Sequence, residues 1–279
     1  DNAWGQWRLG NVYLPFGVEQ QTTKADFIGI QRSLIYGFEN YGYTQPWGLR
    51  LMNQRGWGLR WDRNRAWGPL QGTASAAIQN FSGGSYQNAL GGVARLGLSW
   101  VQGPWLLKAG YSGLLARAAL LDPPAEFTPL GASQGAAWVS SAALAGHHTV
   151  ATWGPDAQAA AGPLHASAEL ALQSLDGTVR GGGQVTAWLE LAPGLRALHV
   201  PSDWRDARLY GKWGQASSGF SDGVHLAGAL YRSTTYGLAL PLGWEPADLR
   251  IEYLQVSSDD FGGVLPDGKI YQAELQFRL

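Results

Sequence analysis

Arginine supplies 16 of the 20 basic residues in this chain. Five of them, Arg50, Arg55, Arg60, Arg63 and Arg65, crowd around a single acid, Asp62. A guanidinium presents a planar fork of N–H donors that grips a phosphate or carboxylate at two points at once. Such groups attract and orient anions, but bond-breaking needs a nucleophile with a base, or a metal site. No His-Glu-x-x-His pair or phosphate-cradling loop occurs. His147 and His148 are adjacent, so an extended chain sends them to opposite faces, and a solvated turn end is the simpler reading. His165 and Glu169 share a face but stand about 13 Å apart along a strand, too far for a direct dyad. Gly181-Gly182-Gly183 has no helix after it and reads as strand flexibility near a turn. With no cysteine, thiol nucleophiles, disulfides and thiolate zinc sites are excluded together. The chain therefore reads as a non-enzyme with no metal and no cofactor. An enzyme alternative would require turnover of a lipid or peptide that depends on a wall Ser or His.

Composition limits what can position these arginines. Charged residues are only 15% of the 279, against about 25% in an ordinary soluble domain. Tryptophan occurs 14 times, tyrosine 11 times and glycine 39 times, which is too aromatic for a disordered chain. The formal net charge is −1, so there is no polybasic signal for nucleic acid. The most apolar stretch, Ala136 to Ala145, is too short for a membrane helix, which needs about 20 apolar residues. Asp1-Asn2-Ala3-Trp4 reads like the start of a processed mature protein.

Strict alternation is the dominant pattern, and it belongs to β-strands. Tyr271, Ala273, Leu275, Phe277 and Leu279 fall on one face, against Gln272, Glu274, Gln276 and Arg278. Similar runs occupy 95–100, 105–112, 164–173, 184–191 and 236–244. Turns are marked by Gly103-Pro104, Asp176-Gly177, Pro193-Gly194 and Glu245-Pro246-Ala247-Asp248. Short and long connections roughly alternate, with 232–234 as an exception. The pattern predicts fourteen strands (12–16) over 4–14, 47–63, 69–81, 89–101, 105–117, 135–145, 148–154, 163–175, 182–192, 207–216, 223–231, 235–244, 248–257 and 269–279.

Two architectures fit. A soluble sandwich buries its apolar faces, whereas a transmembrane antiparallel β-barrel turns them to lipid and lines its lumen with polar residues. Low charge, polar faces rich in Gly, Ser, Gln and Arg, and aromatics near strand ends (Trp100, Trp105, Trp244, Tyr236, Tyr271) favour the barrel, as one domain over 1–279.

The stretch Arg8-Leu9-Gly10-Asn11-Val12-Tyr13-Leu14-Pro15-Phe16-Gly17-Val18-Glu19 resembles the phosphate-selective (O/P-type) porin family, whose motif is R-x-G-x-x-x-x-P-F-[GS]-x-E. A following Phe27-Ile28-Gly29-Ile30-Gln31-Arg32-Ser33-Leu34 is similar to the family's next segment. The resemblance covers 4–40 and implies a bacterial outer-membrane, water-filled barrel, usually a homotrimer, with a long loop folded inward. Segment 15–46 would be that constriction loop, placing Lys24 and Arg32 near the narrowest point.

If the apolar face points outward, its alternates line the pore. The lumen then receives Arg8, Arg50, Arg60, Arg95, Lys108, Arg208, Lys212, Arg250 and Arg278 against Asp62, Glu169, Glu190, Glu252 and Glu274, an excess of four positive charges. Cationic rings are what anion and phosphate pores use. The expected function is passive diffusion of small hydrophilic solutes, anions preferred, with lipid as the surrounding partner. Two alternatives stay open: arginines that merely pair with lumen carboxylates and fill the barrel, and an envelope scaffold with a closed lumen.

Overall fold

The computed structural model describes residues 4–17, 55–80, 86–120, 146–175, 178–192, 207–217, 230–242, 247–258 and 268–277. They form one antiparallel sheet of twelve strands in sequence order. The strands are β1 (Gln6–Tyr13), β2 (Arg55–Trp67), β3 (Leu70–Asn80), β4 (Tyr86–Gln102), β5 (Trp105–Leu120) and β6 (Gly146–Ala161). They continue as β7 (Leu164–Leu175), β8 (Thr178–Glu190), β9 (Arg208–Ser217), β10 (Leu230–Leu242), β11 (Ala247–Ser258) and β12 (Gly268–Phe277). Every strand pairs with its sequence neighbour, and no pairing joins β12 to β1 among the described residues.

The polarity of the sheet is inverted. Its exposed large side chains are apolar: Trp7, Leu9, Ile78, Leu96, Leu115, Tyr236 and Tyr271 are each at least 60% exposed. The alternate positions carry buried polar groups, among them Gln79, Ser112, Thr152, Asp156, Glu169, Glu252 and Arg250, all at 6% exposure or less. A soluble sandwich has the opposite arrangement. Eleven of the twelve strands have ten residues or more, enough for a tilted strand to cross a bilayer at about 9–11 residues.

Three two-residue hairpins share one chemistry. Gly68-Pro69, Gly103-Pro104 and Gly162-Pro163 join strands whose flanking residues pair directly (Trp67 with Leu70, Gln102 with Trp105, Ala161 with Leu164). Each glycine has φ between 57° and 60°, the left-handed value that the first position of a primed hairpin turn requires. The Pro69, Pro104 and Pro163 carbonyls accept from Val101, Gly162 and Glu190, so each turn is tied to the next hairpin.

Two expected boundaries move. The reading of 148–154 as a full strand is corrected, because β6 continues through Pro155 to Ala161. Proline lacks a ladder donor, yet here its missing N–H faces β7, where the ladder skips Gly154 and Pro155 while β5 stays paired throughout. Residues 232–234 are not a connection but part of β10, whose polar stretch alternates Arg232 and Thr234 with inward Ser233 and Thr235. Leu230 and Tyr231, from the expected strand 223–231, therefore lie in one strand with 235–242, the remainder of 223–231 being outside the described residues, and Tyr236 stands in mid-strand, in a row with Tyr253 and Tyr271. The expected strand 135–145 lies outside the described residues. The described residues thus hold twelve strands against the expected fourteen, inside the expected range of 12–16.

Candidate functional site

The chain leaving β1 turns inward. Phe16 donates its N–H to the Leu14 carbonyl across Pro15, and Leu14 and Phe16 are almost fully buried. Gly17 then donates its N–H to Ser112 Oγ on β5, 3.1 Å away. In a flat sheet four strand spacings put β5 about 19 Å away. Four residues containing a tight turn cannot cover that distance, so the sheet curves and the chain crosses its concave side. Residues 15–17 are the start of the expected constriction loop 15–46; the rest of it, with Lys24 and Arg32, lies outside the described residues, as do Arg50 and Arg278.

The inner wall begins with Arg60 and Asp62, two positions apart on one face of β2. Arg60 Nε lies 2.9 and 2.8 Å from the two Asp62 oxygens, and its Nη2 lies 2.7 Å from Oδ1. Arg60 Nη1 donates to the Tyr13 carbonyl at 2.9 Å, where the chain leaves β1. Ser75 Oγ donates to the same Asp62 at 2.7 Å. Arg8 is opposite Arg60 in register.

Arg95 on β4 reaches two strands along. Its guanidinium lies across Gly110 of β5, where an added Cβ would sit 2.2 Å from Nη2. Nη2 donates to Asp156 Oδ1 of β6 at 2.6 Å, Nη1 also pairs with Asp156, and Nη1 lies 3.0 Å from Ser112 Oγ. Between these groups opens a cavity of about 410 Å³, bordered by Arg8, Arg60, Arg63 and Arg95, with Asp62 its one carboxylate.

A second network lies on the far side. Tyr210 of β9 crosses Gly237 of β10, where a Cβ would sit 2.1 Å from the ring, and donates to Glu252 Oε1 of β11 at 2.8 Å. Gln272 of β12 donates to the other Glu252 oxygen. Arg250 Nη2 lies 3.8 Å from Asp248 Oδ2.

Register and burial place the described candidates Arg8, Arg60, Arg95, Lys108, Arg208, Lys212 and Arg250 at inward positions. They do not form one ring. The expected excess of four positive charges is corrected, because Asp156 and Asp248 also face inward. The expected strand bounds put Asp156 in a connection, because Pro155 looks like a strand end, and Asp248 at the turn that opens the expected strand 248–257, where it is not counted among the lumen acids. By register the described inner wall holds eight cations and seven carboxylates, unevenly spread. Strands β1–β5 carry Arg8, Arg60, Arg95 and Lys108 against Asp62; β6–β12 carry Arg180, Arg208, Lys212 and Arg250 against Asp156, Glu169, Glu190, Asp248, Glu252 and Glu274. The five-arginine cluster is divided as well, since Arg63 and Arg65 share register positions with outward Trp57 and Leu59.

His165 also has a carboxylate, though not Glu169. Its ring stacks on Trp188 (centroids 4.9 Å, planes 6° apart) with Nε2 3.3 Å from Glu190 Oε1. A cross-strand contact of this kind needs the β7–β8 register, which single-strand spacing does not reveal.

No protein-family model matches the chain, and no curated protein matches it. Among solved structures the chain is similar to the outer-membrane porin OccAB1 of Acinetobacter baumannii, with a TM-score of 0.50 and 10% identity over 86% of this chain. It shares the fold of an outer-membrane porin. The match covers 62% of OccAB1, so this chain spans less than two thirds of that protein's length. OpdK of Pseudomonas aeruginosa, solved with vanillate, gives a TM-score of 0.45 at 13% identity over 85% of this chain and 72% of OpdK. A second structure of that protein gives 0.42 at 12% identity over 79% and 67%.

Proposed function

We propose that this protein is a passive channel of a bacterial outer membrane, admitting small hydrophilic solutes along its charged inner wall. The observation that carries this reading is the inverted polarity of the sheet: indoles, phenols and leucines outward, ion pairs and amides inward. Such a sheet would leave a broad apolar surface in water and bury many charges, whereas in a bilayer each face meets a matching medium. Anion preference belongs to the same proposal and is supported by one side of the wall only. The cavity beside β1–β4 offers inward Arg8, Arg60 and Arg95 against one carboxylate, and charge at a low-dielectric wall raises the local counter-ion concentration. Arg60 and Arg95 already spend donors on Asp62 and Asp156, so Arg8 and Lys108 contribute most to that attraction. The same proposal extends to a homotrimer, which native mass measurement of detergent-extracted protein would detect.

The test is conductance in planar bilayers. Discrete current steps are expected, with a reversal potential in a KCl gradient displaced toward that of chloride. A displacement toward potassium would remove the anion preference and leave the channel. No current at all from inserted protein would remove the channel and favour the closed envelope scaffold.

A further inference from the structure

All seven described carboxylates stand at inward positions, whereas Arg55, Arg63 and Arg65 of β2, Arg117 of β5, Arg232 of β10 and Lys269 of β12 stand at outward ones. The outward face therefore carries cations and, among the described residues, no acid. Arg55, Arg117, Arg232 and Lys269 stand toward the long connections, and Arg63 borders the inner cavity. Arg65 is different. It lies at the short-turn end, where the outward face of the next strands carries exposed Leu70, Leu98 and Leu107.

Its setting is built by the backbone. Gly72 faces Arg65 in register, and without a Cβ it leaves room for the edge of the Trp67 ring over β3; an added Cβ would come 2.7 Å from that ring. The Arg65 guanidinium carbon sits 5.5 Å from the Trp67 ring centroid. Stacking on an indole holds a guanidinium by its face and leaves its in-plane N–H donors free to point sideways. Two in-plane donors match two phosphate oxygens.

We infer that Arg65, held on Trp67 and supplemented by Arg63, docks the phosphate of an anionic glycerophospholipid in the leaflet at the short-turn end. The inference rests on the membrane reading above, which puts short turns on the periplasmic side. Charge complementarity selects the occupant: an acidic protein partner would have to displace lipid from a leucine-rich band, while a headgroup phosphate reaches that depth unaided.

Native mass spectrometry of the detergent-solubilised protein, offered equal phosphatidylglycerol and phosphatidylcholine, tests it. Wild type is expected to retain phosphatidylglycerol preferentially, and Arg65→Gln to lose roughly fivefold of that preference, the size expected of one basic residue at an anionic surface. Trp67→Leu, which keeps the apolar contact but removes the ring, is expected to lose part of it, and Arg117→Gln at the other end none. Heat-modifiable migration confirms that each variant is folded. Equal retention of both lipids by wild type, or an unchanged preference in Arg65→Gln, overturns the inference. Flotation with phosphatidylcholine vesicles separates the two levels: protein that does not float overturns the membrane reading as well, while protein that floats without lipid preference overturns this inference alone.

Discussion

On β4–β6 a guanidinium crosses a glycine to reach a carboxylate two strands away, and on β9–β11 a phenol does the same. Arg95, Gly110 and Asp156 form the first crossing; Tyr210, Gly237 and Glu252 form the second. In both, the middle strand gives up its side chain so that its neighbours meet over it. The occupants differ. Arg95 is 14% exposed and borders the cavity, and it shares Ser112 with the chain entering from β1. Tyr210 is 3% and Glu252 2% exposed, with Gln272 covering the remaining carboxylate oxygen. Both crossings tie strands together, but only the first borders the cavity, where its guanidinium is within reach of solute. One wall region is thus built for cohesion, and the other for cohesion and solute contact.

The largest effect is expected at the cohesive crossing. Glu252→Ala removes the acceptor of both Tyr210 and Gln272 at a buried position and should cost about 3 kcal/mol. The folded fraction of vesicle-reconstituted protein, followed by heat-modifiable migration across a urea series, reads this directly. A cost under about 1 kcal/mol would mean that the phenol–carboxylate contact does not hold β9 to β11.

The glycines should rank next and should differ. Gly237→Ala drives a methyl against a ring anchored at both ends, an overpacking cost of about 2 kcal/mol. Gly110→Ala meets only the far end of a flexible side chain, so about 1 kcal/mol or less is expected as Arg95 swings aside. Conductance should respond in the reverse order, because displacing Arg95 exposes Asp156 to the lumen and shifts the reversal potential toward cations. Equal stability costs, or a larger shift of selectivity at Gly237, would erase the distinction between the two crossings.

How much of this was legible beforehand follows from what a single strand can say. Alternation in 164–173 and 271–279 assigns each side chain to a face, because period two needs no partner strand. Glu169, Glu190, Glu252 and Glu274 were accordingly placed inward from sequence, and they are. Asp156 was not, since Pro155 looks like a strand end unless one knows that β7 leaves its ladder open there. The crossings were invisible for a deeper reason: Arg95 and Asp156 are 61 residues apart, and Tyr210 and Glu252 are 42 apart, so their meeting depends on register across two pairings. Gly110 and Gly237 looked like filler in alternating runs, and their function exists only once neighbours lie over them.

The smallest effect belongs to the junction between the charged crossing and the inward-turning chain. Ser112 Oγ accepts from Gly17 N–H and lies 3.0 Å from Arg95 Nη1, in a fully buried position. Ser112→Ala should cost about 1 kcal/mol, one buried hydrogen-bond acceptor withdrawn from two donors, one of which keeps Asp156. Its effect on conductance should exceed its effect on stability, because Gly17 is the point at which the segment after β1 is fastened to the opposite wall. Released there, the segment should widen the fluctuation of open-channel current without changing mean selectivity, since no charge is removed. If the current noise of Ser112→Ala matches wild type, residues 14–17 are held by the burial of Leu14 and Phe16 alone, and the charged crossing serves the wall and not the loop.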